Sequence, residues 1–576
     1  MSRKLIYRVL DNLSPSEAKL ANLPRKPDGL YNFVINEYGQ LIRRSGTAKY
    51  NTDALHTSRI TGLHRYYPRT EANKEFLAAC NGVVYKLAAT SPHAGTSIKT
   101  GLTATADVFF ENFRDTCYFV NGADGMYKYN GTNCYTVGIT PPAAAPTGSG
   151  SASGSLSAGN YKVRYTFVDS DGYESNASPE SNTITVTASQ KIALDIAVST
   201  DPKVTKRRIY RTSVNGALYY FDVEVGNNTA TTVDLTQSDI ALSAGAMLAT
   251  DHDVPPATAH LITRRRSRLL LADSDTFYIS YIAEPEYFPA DWAINTGGRD
   301  RITGMSEQQE WLPVFTEDNV ERLVGQDEDN FEFQNSYSGT GCRAIRSLVN
   351  CNNLLLFWGK GGLFAFDGAT ARELSRPLSE YLKTNVNPAY SNLMAGCFFE
   401  NRYLLSYPKG ESTTNNETVY LDFSNGVTGI FDVAYGCYTN WDKKGDGDRL
   451  FAGSATEGRV YEVFTGTDDD GTDITAYDST EPLDLGMPDT WKQFYDIYVK
   501  CKVDAETSLR MYYTLDDGEE QYRDVTLSAS TLWYRVRLLG GGQRARAIAL
   551  RPRVTKDVEI YGYAIVYETE APEWQS

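Results

Sequence analysis

The chain has little histidine, almost no helical periodicity and no long apolar run. His56, His64, His93, His252 and His260 are the five histidines among 576 residues, and all fall in the first half. Acid–base chemistry near neutrality draws on imidazole more often than on other side chains, so their scarcity points away from an enzyme. Apolar runs such as 354–358 stay well short of the ~20 residues that span a bilayer, which predicts no membrane segment. The opening MSRKLIYRVLDNLSP has basic residues but no apolar stretch behind them, and predicts a chain made in a cytoplasm without a secretory leader. No phosphate-cradling G-x-x-x-x-G-K, dinucleotide G-x-G-x-x-G, nucleophile-elbow G-x-S-x-G or zinc-binding H-E-x-x-H sequence occurs. Catalytic, cofactor and metal residues are therefore expected to be absent. The eight cysteines include no C-x-x-C pair, and Cys80, Cys117, Cys397 and Cys501 sit in apolar, strand-like runs where a reduced core thiol is expected.

What is present favours strands. Hydrophobic residues make up 41% and charged residues 22%, which excludes wholesale disorder. Tyrosine (39) outnumbers phenylalanine (23) and glycine is plentiful at 46, a mixture suited to pleated, half-buried surfaces joined by tight turns. The formal charge is −16. Such a chain does not wrap nucleic acid by neutralising phosphates, yet it could form a wall that DNA slides past without sticking. Two segments read as helices: 14–23, and 375–384 with Ser375 as cap and Pro377 in the first turn.

One pattern recurs: an apolar strand, a polar or glycine turn, and a second strand ending in an aromatic. It runs from Phe76, Cys117, Arg268, Arg322, Asn353, Arg402 and Arg449. Turns such as Asn81-Gly82, Asp124-Gly125 and Gly361-Gly362 supply positive φ at low steric cost. Seven hairpins of one grammar predict an all-β protein built on a β-propeller of about seven blades.

Two other units interrupt or follow the repeats. A Pro-rich stretch at 140–146 and a Gly/Ser-rich run at 148–159 read as a linker. Beyond it come six or seven strands in about 100 residues, the density of an immunoglobulin- or fibronectin-like sandwich. Tyr161, Val163, Tyr165 and Phe167 alternate there with Lys162, Arg164 and Thr166, as in a strand with one wet face. The last strands read as a C-terminal β-sandwich. The expected division is 1–140 for an N-terminal segment and the first blades, 141–253 for the inserted sandwich, 254–487 for the remaining blades and 488–576 for the C-terminal sandwich.

Acidic clusters at 468–473, 442–448 and 169–171 lack the full spacing of a calcium loop and read as solvated turns. Thr467-x-Asp469-x-Gly471 faintly resembles the aspartate box of sialidase propellers, the basis of a glycosidase alternative. The densest basic runs are Arg264, Arg265 and Arg266 with Arg268, and Lys206, Arg207 and Arg208 with Arg211. Arg264, Arg265, Arg266, Arg207 and Arg208 are the candidates for docking a partner, against the plainer expectation of strand-edge charge.

The stretch DGLYNFVINEYGQLIRRSGTAKYN, with its Arg43-Arg44-Ser45-Gly46, resembles the opening of tail hub, or nozzle, proteins of short-tailed bacteriophages. GLFAFDGATARELSRPLSEYL at 362–382 resembles a blade strand followed by the short helix common in that family. Ala158-Gly159-Asn160-Tyr161, Asp171-Gly172-Tyr173-Glu174-Ser175 and Ile209-Tyr210-Arg211-Thr212 resemble fibronectin-type modules inserted in phage virion proteins. The resemblance implies a structural virion protein of the phage tail, assembled in the host cytoplasm. It implies a homo-oligomeric ring, a hexamer, that extends the DNA channel and retains the packaged genome. Its implied partners are a portal-side adaptor, tail-tip, fibre or tailspike proteins, and DNA passing without sequence-specific contact. It implies no cofactor and no catalytic residues. A host-surface glycan-binding protein is the alternative, ahead of a virion glycosidase.

Overall fold

A computed structural model describes residues 5–8, 23–70, 74–296, 300–309, 311–325, 330–336, 338–374, 376–443 and 447–570. The chain is all-β, with short helices as connectors. Among the described residues, seven antiparallel units follow one another along the chain: five are separate four-stranded sheets, the sixth is four strands of a nine-stranded sheet, and the seventh is part of a six-stranded one. They occupy residues 60–99, 109–136, 261–295, 304–335, 349–373, 395–431 and 435–463. Each of the seven sequence hairpins falls in its own sheet. The seventh sheet takes only three strands from 435–463; its fourth is Thr47–Lys49, which pairs with Val460–Val463 in the register Tyr461↔Lys49.

First strands of successive sheets lie side by side. Ile60–Tyr66 touches Phe109–Phe113, which touches Leu261–Arg265, which in turn touches Gly304–Met305. Val349–Cys351 touches Ala395–Phe399, and that strand touches Tyr435–Lys443, which returns to Ile60–Tyr66. Leu348 fills the space beside Gly304 and continues the series between the fourth and fifth sheets. Tight turns keep the hairpins short: Gly82 has φ +73°, and a Cβ there would stand 2.2 Å from the Leu102 carbonyl oxygen.

The inserted sandwich lies between the second and third sheets. Tyr161, Val163, Tyr165 and Phe167 point into its core with Ile192, Leu194 and Ile209. Thr166 departs from the expected alternation: it is buried and donates to Glu174. The run expected to be a linker is a strand, Thr147–Leu156, paired with Gln190–Asp195. Its glycines serve close packing, since a Cβ at Gly154 would stand 2.2 Å from the Gln190 carbonyl oxygen and one at Gly148 2.7 Å from Ile184.

The C-terminal unit is a two-sheet sandwich, but its strands do not all come from beyond residue 488. Phe33–Ile35 and Leu41–Arg43 extend the sheet of Glu559–Thr569, Lys492–Lys502 and Thr531–Arg537. Leu30, Phe33, Ile35 and Leu41 pack in its core beside Ile497, Met511 and Ile565. Leu30–Tyr31 also bridges two units. Tyr31 lies parallel to Ile430 of the sixth sheet and antiparallel to Tyr477, whose strand joins Ile548–Val554. The result is one nine-stranded sheet running from the sixth sheet into the C-terminal sandwich.

Helix Arg376–Asn385 confirms the second helical segment, with Pro377 in its first turn and Leu378 and Leu382 buried. Ser375 lies outside the described residues, as does nearly all of the helix expected at 14–23. All eight cysteines are free thiols, seven of them buried. Burial pushes the Cys80 thiol up to about 11 and the Cys342 and Cys501 thiols up to about 12, which leaves them poor nucleophiles near neutrality.

Candidate functional site

Several buried ion pairs stand where units meet. The densest joint is built on Arg43-Arg44-Ser45-Gly46, directly after Leu41–Arg43 and before Thr47–Lys49. Arg44 is 2% exposed. It donates to Asn32 at 2.8 Å, to Asp432 at 2.7 Å and to both oxygens of Asp469, at 2.9 and 2.5 Å. Burial alone would lower its basicity, but Asp469 and Asp432 outweigh this and raise it. Arg43 donates to Asp557 and to the carbonyls of Thr467 and Ile474. Gly46 is required by contact: a Cβ would stand 1.8 Å from the Asp468 carbonyl oxygen. A second pin, Arg25 to Asp478, is shared by the Tyr563 hydroxyl at 3.0 Å.

This joint accounts for the acidic run at 468–473, which is not a free solvated turn. Asp469 takes Arg44 and the Thr47 hydroxyl, Asp470 takes Lys49, Asp473 takes Lys556, and Asp468 accepts the Gly471 N–H at 2.6 Å. In the run 442–448, residues 444–446 lie outside the described residues, as do the side chains of 442–447.

The third acidic run is also occupied. Asp169 is buried, and with Asp171 and Glu286 it surrounds the Lys128 ammonium at 3.2, 3.0 and 2.6 Å. Lys128 belongs to the second sheet, Asp169 and Asp171 to the insert, and Glu286 follows the third strand of the third sheet. Burial pushes the Glu286 carboxyl up, against the pull of Lys128. Lys203 of the insert adds a second anchor, donating to Thr136 at 2.6 Å and to the Gly138 carbonyl.

The basic runs do not form one docking patch. Arg207 is fully buried and donates to the carbonyls of Ala197 and Asn227. Arg265 is buried and donates to the Leu323 carbonyl at 3.1 Å. Strand alternation explains both, since consecutive residues face opposite sides of a sheet. Arg208 is half-buried between Glu174 and Glu224. Arg264 and Arg266 are exposed. Arg264 reaches the second sheet, where burial pushes the Glu111 carboxyl up to about 7 against its pull.

Two cavities matter. One of about 210 Å³ lies among the first strands, lined by Phe109, Leu261, Gly304, Ala395, Cys437 and Arg346. Arg346 crosses it, donating to the Thr61 carbonyl and lying 3.4 Å from Asp107. The other, of about 620 Å³, opens between the first and seventh sheets. Nothing in the sequence marks it, because its walls come from residues nearly 400 positions apart. Trp441 stands in it.

No family model matches the chain. No curated protein matches it either. Among solved structures, it is similar to the AfRom2 CNH domain at 6% identity with a TM-score of 0.26, covering 73% of this chain and 99% of that one. A likeness of that size carries no argument about function.

Proposed function

We propose that the seven sheets are the blades of a β-propeller, and that the chain is a structural, ring-forming component of a phage tail. Several copies would surround a channel for DNA. The nine-stranded sheet carries this reading: the short strand Leu30–Tyr31 joins the sixth blade to the C-terminal sandwich by backbone pairing, at Tyr31↔Ile430 on one side and at Leu30↔Asp478 and Tyr31↔Tyr477 on the other. A load-bearing part needs such stiffness, because separate domains joined by a linker yield at the linker. The return of the first strands to Ile60–Tyr66, with Thr47–Lys49 completing the last sheet, supports the propeller. The cavity among the first strands is far too small for a duplex, so on this reading a DNA channel would run along the axis of the assembly. The acidic surface suits a channel that does not grip phosphates.

Sedimentation and electron microscopy of the purified chain, alone and with a portal-side adaptor, test the proposal. A closed ring that stacks on the adaptor is expected. A chain that stays monomeric at tens of micromolar and ignores the adaptor overturns it.

A further inference from the structure

The cleft between the first and seventh sheets has a floor and walls of different chemistry. Its volume of about 620 Å³ falls within the ~300–1,000 Å³ of sites that enclose small ligands. The floor is aromatic. Tyr50 stacks on His93 at 3.9 Å and meets Phe76, Trp441 and Phe451 edge-on. The Arg65 guanidinium lies 3.6 Å from the Trp441 ring centre, a close cation–π contact.

The walls carry Lys49, Arg65, Lys74, Lys86 and Arg449 against Glu75 and Glu462. Five cations to two carboxylates is a local reversal of sign in a chain of charge −16. Several of these side chains are held in place. Arg449 donates to both oxygens of Glu462 at 2.5 Å each, Lys86 donates to Glu75, and Lys49 pairs with Asp470. Their heads still reach water: Lys49, Lys86 and Arg449 are 36%, 40% and 34% exposed. Cations positioned in advance lose less side-chain freedom when an anion arrives.

We propose that this cleft binds an acidic saccharide, a sugar chain bearing carboxylates. The ligand's carboxylates meet Lys49, Lys74 and Lys86. Glu75 already accepts from Lys86 and from the Tyr129 hydroxyl at 2.7 Å, and Glu462 accepts twice from Arg449; each carboxylate has lone pairs beyond these two for a sugar hydroxyl, and the aromatic floor receives the C–H side of a ring. A purely phosphate ligand meets the two glutamates as like charges. A ligand carrying hydroxyls beside each carboxylate uses both signs.

Titration calorimetry of the full chain with tetragalacturonate at low salt tests the site. Saturable binding that weakens as salt is added is expected. The Lys74→Gln/Lys86→Gln variant is expected to bind about tenfold or more weakly, the loss of two charge-assisted contacts. Lys500→Gln/Lys556→Gln, on the C-terminal unit, is expected to bind as the parent does. Melting temperatures show that both variants fold; should the first not fold, Lys49→Gln carries the same expectation. No binding at millimolar tetragalacturonate overturns the proposal, as does an equal loss in both variant pairs. Equal binding of a neutral galactose tetramer removes the acidic requirement. Binding of a thymidine oligonucleotide that tetragalacturonate fails to displace assigns the cleft to nucleic acid instead.

Discussion

The inserted sandwich and the C-terminal sandwich are both attached to the same series of sheets, and they are attached by opposite means. The insert shares no backbone ladder with its host among the described residues. It is held by two chain crossings and by side-chain contacts, among them the Lys128 cluster, the Lys203 contacts with Thr136 and Gly138, and the Tyr287 hydroxyl, which accepts the Glu174 N–H at 2.6 Å. The C-terminal unit shares a continuous sheet with the sixth sheet of the series, takes strands from both ends of the sequence, and is pinned by Arg25, Arg43 and Arg44. A side-chain latch holds one shape and can be lost piece by piece. A backbone ladder cannot be parted without breaking every hydrogen bond along it. The first module is an attachment, and the second is part of the frame.

Removing Arg44 gives the largest expected effect. Arg44→Ala leaves Asp469 and Asp432 without their cation beside a closed joint, and breaking such a buried pair costs about 3–5 kcal/mol. Urea unfolding followed by tyrosine and tryptophan fluorescence measures it. A loss under about 1 kcal/mol would make this joint no stronger than an exposed ion pair and erase the contrast.

Lys128→Met tests the other side. It strands Asp169 and Glu286 as buried carboxylates, at a local cost of about 3 kcal/mol. Hydrogen exchange is expected to quicken in the insert, with strands such as Val163–Asp169 and Val204–Thr212 losing protection, while the seven sheets keep theirs. Equal loosening of the sheets would show the insert to be as integral as the C-terminal unit.

The effect that varies with pH concerns contact between neighbouring sheets. Glu111 faces Arg264 across the second and third sheets, with its carboxyl pushed up from 4.5 to about 7. Between those values the folded chain holds a proton that the unfolded chain releases, so this group removes stability as pH rises from 4.5 to 7. His64, held down to about 4 by burial, acts in the other direction and costs stability as pH falls from 6.5 towards 4. Glu111→Gln removes only the first effect. The variant is expected to exceed the parent in urea midpoint at pH 8 and to converge with it near pH 4.5. A constant gap across that range would place the cause elsewhere.

Much of the frame was legible in the sequence because local rules govern it. The seven hairpins, the helix at 376–385 and the alternation at Tyr161–Val163–Tyr165 follow from turn residues and period-two patterning. The Gly/Ser run misled because small residues serve two ends: they free a linker, and they let backbones approach. Only the neighbours Gln190 and Ile184 distinguish these. The basic runs misled because composition does not say which face a strand residue takes, so Arg207 and Arg265 went inward. The large cleft and the Arg44–Asp469 joint depend on residues about 400 positions apart, which no local pattern links.

The strand Thr47–Lys49 has a consequence for how the chain is made. It leaves the ribosome about 400 residues before Val460–Val463, the strand it pairs with. The sheets can collapse in turn as they emerge, but the seam stays open until Val460–Val463 has been made, leaving an unpaired edge exposed until then. A ribosome that stalls before residue 435 therefore releases an arc with two sticky rims, and cellular quality control has a clear mark by which to know unfinished copies.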